Sequence, residues 1–281
     1  MCPYGGRIVT GEGSWFAPGT LVGHCLLIET RNGLVLVDTG FGSQDLADPR
    51  NRLGRSFLAT ARPALDPNGT ALAQVRALGF SADDVQDIVL THMDLDHAGG
   101  LSDFPNARVH IHGTELDAAT KRTTWIERER YRTAQWSHGP RWVRHDTMGD
   151  RWMHFDAVRA VEGTDAEVLL IPLHGHTRGH CAVAVKTPAR WLLHCGDGYF
   201  HRDEMRARDP WCPAVLSAYQ SFLALDEAAR RANQARLRAL VAEKSSEVRV
   251  FCAHDAVDFA LLVAESEMVA TATPPEASPP A

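Results

Sequence analysis

Residues 91–100 read THMDLDHAGG, and four of these ten side chains, His92, Asp94, Asp96 and His97, are of types that bind metal. Three later places repeat the theme: His176 in LHGHTRGH, Asp197 in HCGDG and His254 in FCAHD. Imidazole and carboxylate together suit zinc, iron or manganese. Seven such groups are too many for one catalytic ion and suit two with a carboxylate between them. Two ions roughly 3.5–4 Å apart can hold a hydroxide and polarise a substrate oxygen. The competing reading is a polar cluster at a strand end with no ion.

Each ligand must be carried to the meeting point by an element, and the pattern places all four groups just after a strand. HCLLIET and GLVLVDTG are apolar, β-branched runs joined through Arg31-Asn32-Gly33, whose Asn-Gly chemistry predicts a hairpin. A helix is expected around TALAQVRALGF, then a short helix and a strand over 87–91 that ends at the cluster. FPNARVHIHGTELDAAT reads as strand, turn and helix. Residues 121–160 break the pattern: Trp125, Tyr131, Trp136, Trp142, Trp152 and Phe155 mix with charges, predicting an inserted cap that lines a pocket or forms a satellite core. AEVLLIPLHGHT, HCAVAVKT, RWLLHCGDG and EVRVFCAHD return to strands, with one long helix expected over 218–241 and another from Ala256. The ending, ATATPPEASPPA, is proline-rich and reads as a disordered tail over 269–281, leaving 1–268 as a single domain.

Composition narrows the classes. Hydrophobic residues make up 44% and charged residues 23%, ordinary globular values. Net charge is −6, and the densest basic patch, Arg122–Arg132, is interleaved with glutamates, which argues against nucleic acid as a partner. No C-x-x-C pair occurs among the six cysteines, so reduced thiols are expected. Without a signal-like start or an 18-residue apolar run, the expectation is a cytoplasmic protein with no membrane partner and a small-molecule substrate. The aromatic insert also offers a contact for a homodimer.

At the ligand motifs the chain resembles the metallo-β-lactamase superfamily. THMDLDHAGG matches that family's T-H-x-H-x-D-H-x-G-G at every ligand position but one, and GHTRGH its G-H-T-x-G-H. The likeness runs from VDTG near residue 38 to AHD near 254. It implies an α/β fold, an αββα four-layer sandwich, with the site at the edge between two sheets. It implies one metal at His92, Asp94 and His176, a second at Asp96, His97 and His254, and Asp197 as the bridge. The ions would be zinc, with iron or manganese admitted by Asp94. Asp38 would support the site without binding metal, and His180 would serve structure. The lactonase-like branch suggests a dinuclear hydrolase cleaving a lactone or ester through a metal-bridging hydroxide. Asp96 would shuttle the proton and Tyr199 would contact substrate, although family lactonases carry their tyrosine one residue later, where this chain has Phe200.

The departure at position 94, aspartate for histidine, subtracts a charge from the centre and favours harder metals. Two alternatives follow: an iron redox enzyme of the same fold, or a degenerate member that binds metal without catalysis because aspartate fails to reach. Asp94→His is then expected to restore the common pattern and tighten zinc at the first site. The pair Gly99-Gly100 is read as a sharp turn under the metals. His174, His110 and His112 are read as structural.

Overall fold

The structure, a computed structural model, describes residues 1–146, 149–162 and 165–272. Twelve strands are present among them. The first sheet holds β1 (Leu26–Thr30), β2 (Gly33–Val37), β3 (Val85–Val89), β4 (Arg108–His112) and β5 (Arg141–His145), in that spatial order. A small hairpin, β6 (Arg151–Trp152) and β7 (Phe155–Asp156), leads to the second sheet. That sheet holds β8 (Val158–Arg159), β9 (Val168–Pro172), β10 (Cys181–Lys186), β11 (Trp191–His194) and β12 (Val248–Phe251), again as consecutive neighbours.

The expected hairpin is β1–β2, antiparallel with Thr30 facing Gly33 across Arg31-Asn32. Gly33 takes φ 121°, which an L side chain resists. From β2 to β5 the pairing is parallel. Side chains alternate across each strand, and this sorts the core into layers. Val35, Val37 and Val89 of the first sheet meet Leu170, Val183 and Val185 of the second in one buried cluster. Leu34, Leu36 and Ile88 point the other way, onto Val75 of the helix Ala71–Ala77. Leu169, Ile171 and Leu193 turn outward onto Leu237 and Leu240 of the helix Glu227–Lys244. Helix, sheet, sheet, helix is the αββα sandwich. Each fully buried Val or Leu contributes roughly 1.5–3 kcal/mol.

Three readings change. The helix expected over 218–241 is two, Ala214–Leu223 and Glu227–Lys244, because Asp226 caps the second by accepting from the Ala229 N–H at 2.9 Å. The stretch 121–160 is no separate cap. It supplies β5 to the first sheet and β8 to the second. Its aromatics divide accordingly: Tyr131, Trp136 and Trp142 pack on the first sheet's outer core, Trp152 and Phe155 on the second's, and Trp125 lines a cavity. The last helix runs Ala256–Ala272, four residues into the expected tail, and 273–281 lie outside the described residues. All six cysteines are unpaired. Among the described residues no helix is long and apolar enough to cross a membrane.

One packing detail carries a pH signature. Asp258, in the first turn of the last helix, is buried, and burial followed by the neighbouring Asp255 carboxylate pushes its carboxyl up from 3.8 to about 6. The folded state therefore disfavours the ionised form. The protonated carboxyl's contribution is complete below pH 4 and is lost as pH rises through 6. Asp258→Asn is expected to raise stability at pH 8 by on the order of 2 kcal/mol and to change nothing near pH 3.5. Thermal melts at the two pH values read this, and an equal shift at both would refute it.

Candidate metal centre

Four loops reach one edge of the sandwich, from the carboxyl ends of β3, β9, β11 and β12. β11 and β12 are parallel, and β9 shares their direction because both β9 and β11 pair antiparallel with β10. Such a common edge brings distant residues together, as in open α/β sheets. After β3 the chain turns at Asp94 into the four-residue helix Leu95–Ala98, which carries Asp96 and His97. His176 lies in the loop after β9, Asp197 after β11 and His254 after β12.

The ligands divide over the two oxygens of Asp197. Its Oδ2 lies 3.3 Å from His176 Nε2 and 3.8 Å from His92 Nε2. Its Oδ1 lies 3.1 Å from His97 Nε2 and 3.0 Å from His254 Nε2. On the first side, Asp94 Oδ2 comes to 3.0 Å from His176 Nε2 and 3.4 Å from His92 Nε2, so aspartate does reach the point its neighbours face. On the second, Asp96 Oδ2 is 3.7 Å from His254 Nε2. Two groups result whose donor atoms lie within 4.8 Å of one another: His92, Asp94, His176 and Asp197; and Asp96, His97 and His254.

The donor set fits divalent cations. His92 Nε2, His97 Nε2 and Asp197 Oδ1 are buried without a hydrogen-bond partner among the described residues. Burying such atoms unpartnered costs roughly 1–3 kcal/mol each. Three of the imidazoles are anchored by their other nitrogen, which leaves Nε2 to face inward. His97 Nδ1 meets Asp38 Oδ2 at 2.8 Å, His254 Nδ1 meets the Val22 carbonyl at 2.8 Å, and His92 Nδ1 meets Thr91 Oγ1 at 2.9 Å. Burial, then the Arg130 guanidinium, pushes His176 down to about 4, so it is neutral. Burial alone would raise the Asp197 carboxyl. His254, His97 and His176 together reverse this and hold the group well below the usual carboxylate range.

The supports are as specific as the ligands. Asp38 accepts from the Thr91 N–H at 2.8 Å, the Thr91 hydroxyl at 2.7 Å and His97, from a left-handed backbone of φ 55°. His180 Nδ1 is held by the Leu173 carbonyl at 3.0 Å, and its Nε2 accepts the Asp197 N–H at 3.0 Å. Glu115, missed in the sequence, ties two motif loops together. It accepts from the backbone N–H groups of Met93 and Gly179, each at 3.0 Å, and from the Tyr131 hydroxyl at 3.1 Å. The glycine pair works differently from the turn expected: Gly99 is right-handed helical at φ −61°, and a Cβ at Gly100 would sit 2.8 Å from the Thr39 carbonyl oxygen. Close approach of two backbones is the reason for glycine there.

Tyr199 departs from its expected role. It is buried in the second sheet's outer core with Cys195 and Cys252, whereas Phe200 turns to the centre, its ring 4.9 Å from that of His254. A one-residue shift has reversed the facing direction. The phenol near the centre is Tyr219, from the helix Ala214–Leu223. Burial and then the carboxylates Asp96, Asp94 and Asp197 raise it, so it remains a protonated donor. A cavity of about 510 Å³ opens over Asp94, Asp96, Asp197 and His254, walled by Phe57, Trp125, Ile126, Leu216 and Phe222, with Tyr219 on its surface.

The comparisons with known proteins agree with this geometry. Residues 18–254 match the profile of the metallo-beta-lactamase superfamily. A probable metallo-hydrolase of Mycobacterium tuberculosis is 43% identical over 235 residues, 84% of this chain and 75% of that protein. An N-acyl homoserine lactonase of Rhizobium radiobacter is 29% identical over 168 residues, 58% of this chain and 59% of that protein. A solved structure of an N-acyl homoserine lactone hydrolase, with the product N-hexanoyl-L-homoserine at its catalytic metal centre, shares the fold. Its TM-score is 0.65 over 92% of each chain, at 21% identity.

Proposed function

The chain belongs to the metallo-beta-lactamase superfamily, and from that premise we propose that it is a dinuclear metallohydrolase that opens a lactone or ester with an apolar acyl part. The observation that carries this reading is the division of the ligands over the two oxygens of Asp197 at the floor of an apolar cavity. Relatives named as N-acyl homoserine lactonases point to acyl lactones as the first substrates to try.

Divalent cations bound at the two groups, zinc first, supply Lewis acidity to the substrate carbonyl and to the attacking water. His92, Asp94 and His176 would hold one, Asp96, His97 and His254 the other, with Asp197 shared. The remaining work falls to the protein's own groups. Phe57, Ile126, Leu216 and Phe222 seat the acyl chain and exclude water from it. Asp96, on the cavity floor, takes the proton that the water loses and delivers it to the departing alkoxide, so the acyl C–O bond breaks to an acid and an alcohol. Tyr219 donates a hydrogen bond from its hydroxyl to the carbonyl oxygen as negative charge grows there.

Protein loaded with zinc, manganese or iron and offered acyl lactones and simple esters should release acid, measured by pH-stat. No acid release by a chain carrying two ions would sink the reading. Tyr219→Phe is expected to lower kcat by about 10- to 100-fold with KM little changed, whereas Tyr199→Phe leaves both alone. The reverse ranking of the two tyrosines would remove Tyr219 from the reaction. One observation favours a second reading: three carboxylates stand among the seven donors, a set that also suits iron. Oxygen uptake by the iron-loaded protein, without acid release, is the result that would favour it.

A further inference from the structure

Arg130 ends the helix Trp125–Arg130, in the stretch of mixed aromatics and charges, and is buried against the centre. Its Nε lies 3.3 Å from Asp94 Oδ1, the oxygen turned away from His92 and His176. The other two guanidinium nitrogens donate to backbone carbonyls, Nη1 to His176 at 2.8 Å and Nη2 to Leu223 at 2.7 Å. Two nitrogens are therefore hydrogen-bonded and hold the planar fork in place, while Nε faces Asp94 Oδ1 as an ion pair, and that oxygen has no hydrogen-bond partner among the described residues. Asp94 and Arg130 are each less than a tenth exposed. A buried charge placed beside a cation site acts on that site more strongly than an exposed one, because less water screens it.

We propose that Arg130 is a positioning residue that makes aspartate acceptable at position 94: it returns the charge that Asp94 removes from the centre by pairing with the Oδ1 side of the carboxylate, while Oδ2 faces His92 and His176. The inference rests on the dinuclear reading above. The charge sum is simple. Two divalent ions less Asp96 and Asp197 leave two positive charges, which is also the sum with a neutral histidine at 94. Asp94 lowers it to one, and Arg130 restores two. The pair thus replaces one neutral ligand by two opposite charges with the same total. A consequence reverses the expectation drawn from the motif alone: Asp94→His would leave Arg130 facing the ions uncompensated and should weaken metal binding.

The test is a double-mutant cycle in the full-length protein, read by zinc affinity in chelator competition and by zinc stoichiometry. Asp94→His should lose at least about tenfold in affinity at the weaker site. Asp94→His combined with Arg130→Gln should recover to within about threefold of the wild type. A merely structural role for Arg130, as a brace on the His176 and Leu223 carbonyls, predicts instead that the double variant is worse than either single one, and that result overturns the proposal. Where Arg130→Gln does not fold, Asp94→His still decides the matter, since it keeps Arg130 and both braces: zinc bound as tightly as in the wild type, or more tightly, refutes the proposal. A wild-type chain that saturates below two zinc ions fails the dinuclear reading and this inference together. A wild type that takes two, beside an Asp94→His variant that takes two equally well, fails this inference alone.

Discussion

Asp197→Ala should strip the centre of metal and with it the activity. The expected result is less than about half an ion per chain after dialysis against trace metal, and a fall in kcat on the order of 10³-fold or more. The reasoning runs through geometry and charge together. Asp197 is the one side chain whose two oxygens face both ligand groups, at 3.3 Å and 3.8 Å on one side and 3.0 Å and 3.1 Å on the other. It is also the anion that sustains two of the histidines. Burial would lower His97 and His254, but Asp197 together with Asp38 raises His97, and Asp197 together with Asp96 raises His254. Without it those imidazoles face each other, and each ion loses a charged ligand. Elemental analysis and steady-state rates on the same preparation check this. Wild-type metal content in the variant would show that the bridge is dispensable.

Asp38→Asn is the second large effect, on affinity more than on fold. Asn has nearly the same volume and accepts the left-handed φ of 55° well, so the backbone is not strained by the change. What it loses is charge and one of two accepting oxygens: the amide cannot balance the imidazole whose Nδ1 meets Asp38 Oδ2 at 2.8 Å while also accepting from the Thr91 N–H. Groups that orient a metal-binding histidine in this way are worth about 10- to 100-fold in affinity. The variant should therefore bind zinc about 10- to 100-fold more weakly while melting cooperatively. Unchanged affinity would mean that His97 needs no partner behind it. The same contacts set a pH dependence. Before an ion binds, Asp197 and Asp38 hold His97 well above its ordinary value against the effect of burial, so zinc must displace a proton. Affinity should weaken as pH falls, and uptake should release protons to the buffer.

The parts legible in the sequence are those whose chemistry is compressed into a few residues. THMDLDHAGG carries four candidate ligands on one strand end and a four-residue helix, so local spacing alone brings them together. The strands were legible for a similar reason, since β2 and β9 are continuous apolar runs, as strands buried on both faces must be, but which residue faces which layer was not. Arg130 was not legible. It lies thirty-six positions beyond Asp94 in a stretch with no periodicity, and only the packing of its helix beside the β9–β10 loop makes it a neighbour. Tyr199 and Phe200 show a sharper limit. Their order is plain in the sequence, but which one faces the cavity depends on a one-residue parity fixed by the turn at Gly196, where φ is +50° and a Cβ would meet His180 Nε2 at 2.8 Å. Glu115 and Tyr219 were hidden because each sits on a helix with an ordinary amphipathic pattern, and their roles come from what lies opposite.

His92, Asp94, Asp96 and His97 hang from the first sheet, and His176, Asp197 and His254 from the second. Neither sheet owns a complete set of donors. The centre therefore acts as a registration mark for assembly: only when the two sheets stack in true alignment do the donors converge. A chain whose halves had each formed but slid past one another by a strand width would catch no cation and so would carry no chemistry.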